Sequence, residues 1–118
     1  MGVSAVFALC VRSSGTHLPR VLKNLERLAR LYDRSGFVFI EGDSIDDSKA
    51  ILKAWVAERA QATVIELDGL DASHPKRTDR LAFCRHAYVD FIRASSLAAF
   101  DQLVRRGGGV RQLPAVLL

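Results

Sequence analysis

Residues 3–11 read VSAVFALCV, a nearly unbroken apolar run rich in Val and Phe that closes on Arg12-Ser-Ser-Gly15. A run of this length, bounded by a polar loop containing glycine, predicts a strand buried on both faces, as in the middle of a parallel sheet. Working outward, Thr16 is placed to cap a helix and Pro19 suits its first turn. Leu18, Val21, Leu22, Leu25, Leu28, Ala29 and Tyr32 then recur at helical spacing, which predicts a helix to about Asp33, before Ser35-Gly36.

The unit repeats. Residues 37–40 (FVFI) are a second apolar strand that stops abruptly at the polar run Glu41-Gly-Asp-Ser-Ile-Asp-Asp47. Ser44 followed by Asp47 is similar to a capping box, so a helix follows, with Ile51, Leu52, Trp55 and Val56 on its apolar face. Residues 62–67 (ATVIEL) are a third strand, and residues 68–76, with Gly69, Ser73 and Pro75, are a loop. Thr78 or Asp79 starts a third helix, whose inner face is Leu81, Ala82, Cys84, Tyr88, Val89 and Ile92 and whose end falls near Ala94.

Strands alternating with helices of these lengths require crossover connections, and hence a parallel sheet with helices on its faces. The expectation is a Rossmann-like α/β half domain of βαβαβα order over residues 1–97. A tail over residues 98–118 is expected to be irregular or an edge strand: Arg105-Arg-Gly-Gly-Gly-Val-Arg111 favours a flexible loop, and Pro114 limits QLPAVLL at 112–118 to an edge or an unpaired segment.

Composition agrees with a folded single domain. Of 118 residues, 49% are apolar and 25% charged, far from the signature of disorder. The net charge of +4 is uneven, because cations alternate with acids along 23–34 and 49–59 while the excess lies in 76–85 and 105–111. Such clustering fits a local anion site better than a nucleic-acid face, which would interleave aromatic residues with the basic ones. Cys10 and Cys84 lie in apolar periodic segments with no CxxC pair, so buried reduced thiols in a cytoplasmic protein are expected. The nine apolar residues at 3–11 are too few to span a bilayer, and no targeting segment is read.

Ligands of open parallel sheets bind at the carboxyl ends of the strands, here residues 12–15, 41–44 and 68–71. Glu41 and Asp43 directly follow a buried strand, where an acid accepts hydrogen bonds from a base or ribose. Arg77, Arg80 and Arg85 lie near the start of a helix, where cations and free backbone N–H groups suit phosphate. Arg80 and Arg85 are five apart and need not share a helix face. The dispersed His17, His74 and His86 suggest neither a metal site nor a general base, and no Ser–His–Asp or Cys–His constellation is present.

Four segments in order, Phe7-Ala-Leu-Cys-Val-Arg12, His17-Leu-Pro-Arg-Val-Leu-Lys-Asn-Leu25, Ile40-Glu-Gly-Asp-Ser-Ile-Asp46 and Arg77-Thr-Asp-Arg-Leu-Ala-Phe-Cys-Arg85, resemble the N-terminal half of GT-A-type glycosyltransferases. Within that family they are most similar to the capsular-polysaccharide mannosyltransferase-like group. The resemblance covers residues 3–93. It implies a GDP- or UDP-sugar donor, with Arg12, Glu41 and Asp43 on the nucleotide, Arg80 and Arg85 near its diphosphate, and Asp46 in a structural role. His86 departs from the pattern, standing where such families often have Asn.

The resemblance also implies Mg²⁺ or Mn²⁺ in full-length relatives, held by an Asp-x-Asp at the end of the next strand. No acid follows Asp101 in this chain, so no metal ligand or catalytic residue is assigned. A basic Gly-rich segment stands in place of the expected strand and no acceptor-binding half follows, as a truncated or frame-altered product would show. The expectation is a donor-binding domain incomplete for catalysis. The alternative is a non-enzymatic α/β interaction module: a sheet of three strands leaves two edges, and exposed edges recruit partners, a second copy of the chain among them.

Overall fold

The computed structural model describes residues 2–12, 15–42, 44, 46–105 and 109–117. The elements in chain order are β1 (Ser4–Val11), α1 (Leu18–Ala29), β2 (Arg34–Glu41), α2 (Ser48–Ala57), β3 (Ala62–Glu66), α3 (Leu70–Ser73), α4 (Arg77–Arg93), a 3₁₀ turn (Ser96–Ala99), β4 (Gln102–Arg105), β5 (Gly109–Gln112) and α5 (Leu113–Val116). The five strands form one sheet in the order β3-β2-β1-β4-β5. β1 pairs in parallel with β2 and β4, and β2 with β3, while β5 returns antiparallel to β4. This is a Rossmann-like α/β half domain with a mostly parallel sheet.

β1 is central, as its unbroken apolar run implies, and the alternation of its side chains divides the core in two. Ala5, Phe7, Leu9 and Val11 join Phe37 and Phe39 of β2, Leu18, Leu22 and Leu25 of α1 and Leu52 of α2 on one face. Val6 and Ala8, with Val38 and Ile40 of β2 and Leu103 of β4, meet Cys84, Tyr88 and Ile92 of α4 on the other. Phe7 stacks on Phe37 with ring centroids 5.5 Å apart and meets the edge of Tyr32 at 5.8 Å. Trp55 of α2 closes the same face edge-on to Phe37 and Phe39. Burying each such ring contributes roughly 1.5–3 kcal/mol.

Boundaries differ from expectation for identifiable reasons. α1 stops at Ala29, not Asp33, because the Asp33 N–H is taken by the Val3 carbonyl at 2.9 Å, which draws the chain out of the helix and into the sheet. β2 therefore starts at Arg34, and its polar first residues show no apolar pattern. Gly36 in this segment is required by close approach: a Cβ there would lie 2.6 Å from Leu97 Cδ2. His17, not Thr16, stands at the N-cap of α1, and α4 begins at Arg77. The loop at 68–76 contains the short helix α3.

The largest correction concerns the C-terminal region. The sheet has five strands, not three, and Gln102–Arg105 is an interior strand between β1 and β5. The strand expected after the third helix is thus present, and β5 forms the sheet edge. What anchors β4 is a polar clasp at its start: Asp101 Oδ2 accepts from the Ser4 N–H at 2.9 Å and from the Ser4 hydroxyl at 3.1 Å, and the Asp101 N–H donates to the Ser4 carbonyl at 3.1 Å. Two apolar residues between an aspartate and arginines show too little periodicity to identify a strand that long-range pairing creates.

Candidate functional site

The strand order places a topological switch between β1 and β4, where chain connections leave in opposite directions, the position at which open α/β sheets take ligands at the carboxyl ends of their strands. Glu41 ends β2 at this edge. It is level with Val11 of β1 and Glu66 of β3, and its side chain is wholly buried. A buried carboxylate is costly unless paired. Its Oε2 accepts from the Ser44 N–H at 3.1 Å, while Oε1 has no hydrogen-bond donor among the described residues and faces Lys49 Nζ at 3.6 Å.

Lys49, in the first turn of α2, joins three acids. Besides Glu41 it lies 3.6 Å from Glu66 and 3.5 Å from Asp68. Desolvation works to lower its pKa, but the charges of Asp68, Glu41 and Glu66 outweigh it and leave the ammonium above its ordinary value. Glu66 is held below the usual carboxylate range, first by its contact with Lys53 at 3.2 Å and then by Lys49. Lys49 escaped the sequence reading because a lone lysine in an amphipathic helix looks like solvated surface.

The loops after β1 and β2 are tied to each other. Asp46 Oδ2 accepts from the Gly15 N–H at 2.9 Å, and Oδ1 accepts from the Ser48 N–H at 3.0 Å and its hydroxyl at 2.6 Å. The Ser48 hydroxyl, the Gly15 N–H and the Ser48 N–H together hold the Asp46 carboxyl below its ordinary range. The expected capping box is replaced: Asp47 occupies the N-cap without a side-chain bond, and Asp46 supplies the cap. A side chain at Gly15 would collide with the Asp47 carboxylate, so glycine permits the two loops to approach.

A second cluster lies on the α4 side. The thiols of Cys10 of β1 and Cys84 of α4 are neighbours, and their interaction raises Cys10 strongly and lowers Cys84. The positive charge of Arg85 acts on Cys10 and that of Arg80 on Cys84, so both arginines approach one thiol pair. Burial raises the Tyr88 hydroxyl above its ordinary value, against the pull of the neighbouring Arg105 guanidinium. Arg105 ends β4 level with Ala8 of β1, and its Nε is buried without a hydrogen-bond partner.

Of the residues singled out from sequence, Arg12 is exposed immediately after β1, beside the strand that ends in Glu41. Arg80 Nη1 donates to the carbonyls of His74 at 3.2 Å and Pro75 at 2.6 Å, which fixes the approach to α4. Arg85 is exposed on α4. Asp43 lies outside the described residues. Glu41 and Arg12 therefore stand at the carboxyl ends of neighbouring strands, while Arg80 and Arg85 lie on the α4 side near Cys84 and Cys10.

The implied Mg²⁺ or Mn²⁺ does not fit the described residues. β4 ends in Arg105, a cation, and Asp101 is engaged by Ser4 at the opposite end of the strand. The acids gathered near Glu41 surround the Lys49 ammonium, and among the described residues no group of three or more His, Cys, Asp or Glu is arranged to hold a metal. A cleft of about 360 Å³ at the amino edge of the sheet, lined by Glu26, Arg30, Ser35, Phe37, Arg59 and Gln61, offers less. Its Arg59 is bonded to Glu26 at 2.8 Å and lies 3.5 Å over the Trp55 ring.

No protein-family model, curated protein or solved structure matches this sequence. Among the described residues no helix is long and apolar enough to cross a membrane.

Proposed function

We propose that this chain is a GT-A-like donor-binding domain that holds a GDP- or UDP-sugar along the carboxyl edge of its sheet. The observation that carries the reading is Glu41: a wholly buried carboxylate at the carboxyl end of β2, one strand from the switch point, with Oε1 lacking a hydrogen-bond donor. A base N–H or a ribose hydroxyl would supply that donor by displacing the Lys49 ammonium that covers Oε1. Arg12 and Arg85 would face the phosphates, whereas Arg80 serves the loop before α4. Binding, not turnover, is the activity proposed for the chain, since none of its described groups is placed as a catalytic base.

Calorimetric titration with GDP, UDP and their sugars tests this. Saturable binding is expected, weakened roughly tenfold or more by Glu41→Gln, which removes a charge-assisted hydrogen bond. Absence of binding at millimolar ligand in a folded chain would overturn the reading.

A second reading is favoured by β5. All four of its residues, Gly109–Gln112, are exposed, and Val110 presents 47% of its surface. Such an edge can pair with a second copy of the chain. Concentration-dependent association abolished by Val110→Lys and indifferent to nucleotide would support a self-associating module.

A further inference from the structure

We propose that Arg105 binds the diphosphate of the nucleotide, so that a guanidinium compensates its charge at the position where the resemblance places metal-binding carboxylates. The inference rests on the donor-binding reading and deepens it.

The argument begins with the register. β4 borders β1 at the switch point, and Arg105 is its last residue. Side chains alternate along β4, with Leu103 in the α4-side core and Val104 in the opposite one. Arg105 therefore projects to the α4 side, where it neighbours Tyr88. Arg85, whose charge also acts on Tyr88 and Cys10, approaches the same place from α4. Two cations thus converge beside the ends of β1 and β4, and neither forms an ion pair among the described residues. A half-buried guanidinium with its Nε lacking an acceptor has unmet hydrogen-bonding capacity, and a phosphate oxygen is the acceptor whose geometry suits its planar fork.

Glu41 and Arg105 lie on β2 and β4, two strand spacings or about 10 Å apart across the sheet. Arg105 is level with Ala8, below the level of Val11 and Glu41. By the same alternation Glu41 follows Phe37 and Phe39 onto the side of α1 and α2, so a ligand with a polar ring at one end and a doubly charged anion at the other reaches both residues by crossing over the carboxyl ends of the strands. A divalent cation would sit poorly beside Arg105, because like charges repel and no described carboxylate accompanies it there.

The test is a calorimetric comparison of uridine with UDP, guanosine with GDP, and inorganic pyrophosphate, in EDTA and then with Mn²⁺. Wild-type chain is set against Arg105→Ala and Arg105→Gln. Expected are diphosphate binding in EDTA, roughly tenfold or greater loss of the diphosphate's advantage over the nucleoside in both variants, and nucleoside affinity left unchanged. Diphosphate binding that requires Mn²⁺, or that is equal in wild type and variants, overturns the role of Arg105 and leaves the donor-site reading standing. Pyrophosphate binding that depends on Arg105 while the nucleoside adds nothing upholds the anion site and removes the donor-site reading. No binding of either kind overturns both. Should the variants fail to fold, Arg85→Ala and the salt dependence of wild-type pyrophosphate binding decide: weakening in both upholds the cationic site, and indifference in both removes it.

Discussion

Lys49 Nζ lies 3.6 Å from Oε1 of Glu41, an exposed-tip cation facing a carboxylate with no solvent access. The pair makes the end of β2 tolerable in the folded state, because the ammonium partly neutralises a charge that burial would otherwise penalise. It also leaves Oε1 one hydrogen bond short.

Removing the cation is therefore expected to be worse than removing the charge it balances. Lys49→Met leaves a buried, uncompensated carboxylate and lowers the urea midpoint, whereas Glu41→Gln keeps shape and the Ser44 bond and destabilises by about 1–2 kcal/mol. A double variant is expected to recover part of the Lys49→Met loss. Equal midpoints for Lys49→Met and wild type would show that the pair contributes nothing.

Lys49 also fixes an alkaline limit. Its pKa is raised in the folded state, so its contribution is complete below the unfolded lysine value, about 10.4, and is lost as pH rises through the folded value. Stability measured by denaturant titration should fall above about pH 10, and the fall should be smaller in Lys49→Met.

The acid limit has the opposite sign. Asp101 is held below its ordinary range by the Ser4 N–H and then the Ser4 hydroxyl, and Asp46 by Ser48 and Gly15. Their contributions are present above the unfolded aspartate value, about 3.9, and are lost as pH falls through the folded values. Asp101→Asn and Asp46→Asn should each flatten the acid unfolding profile below about pH 4. Profiles superimposable on wild type would deny both clasps.

Two glycines should respond differently to alanine. At Gly36 the new methyl meets the buried Leu97 side chain at 2.6 Å with Phe100 Cε2 3.5 Å away, so strain is expected to cost about 1–3 kcal/mol. Leu97→Ala added to Gly36→Ala should cost less than the sum of the separate changes. At Gly15 the nearest obstacle is the end of the Asp47 side chain, which can rotate, and the hydrogen-bonded Asp46 carboxylate 3.1 Å away need give only a few tenths of an ångström, so the loss is expected to be about 1 kcal/mol. Thermal and urea unfolding of the variants would rank them.

The apolar run at 3–11, the helical spacing of Leu18, Leu22 and Leu25, and the abrupt stop at Glu41 were sufficient to place a central parallel strand, its flanking helices and the carboxyl end of β2. These are local properties: alternation and period follow from how side chains leave a strand or a helix. The β4 strand, the Asp101–Ser4 clasp, the partnership of Lys49 with Glu41 and the approach of Arg105 to Tyr88 were decided only by tertiary structure. Each joins residues distant in sequence, and four residues such as Gln102–Arg105 carry too short a pattern to announce a strand that exists because β1 offers a free edge. The chain's own periodicity determined which face of each element is apolar. Only the sheet determined which charges those faces bring together, because pairing register, and not composition, sets what lies beside what.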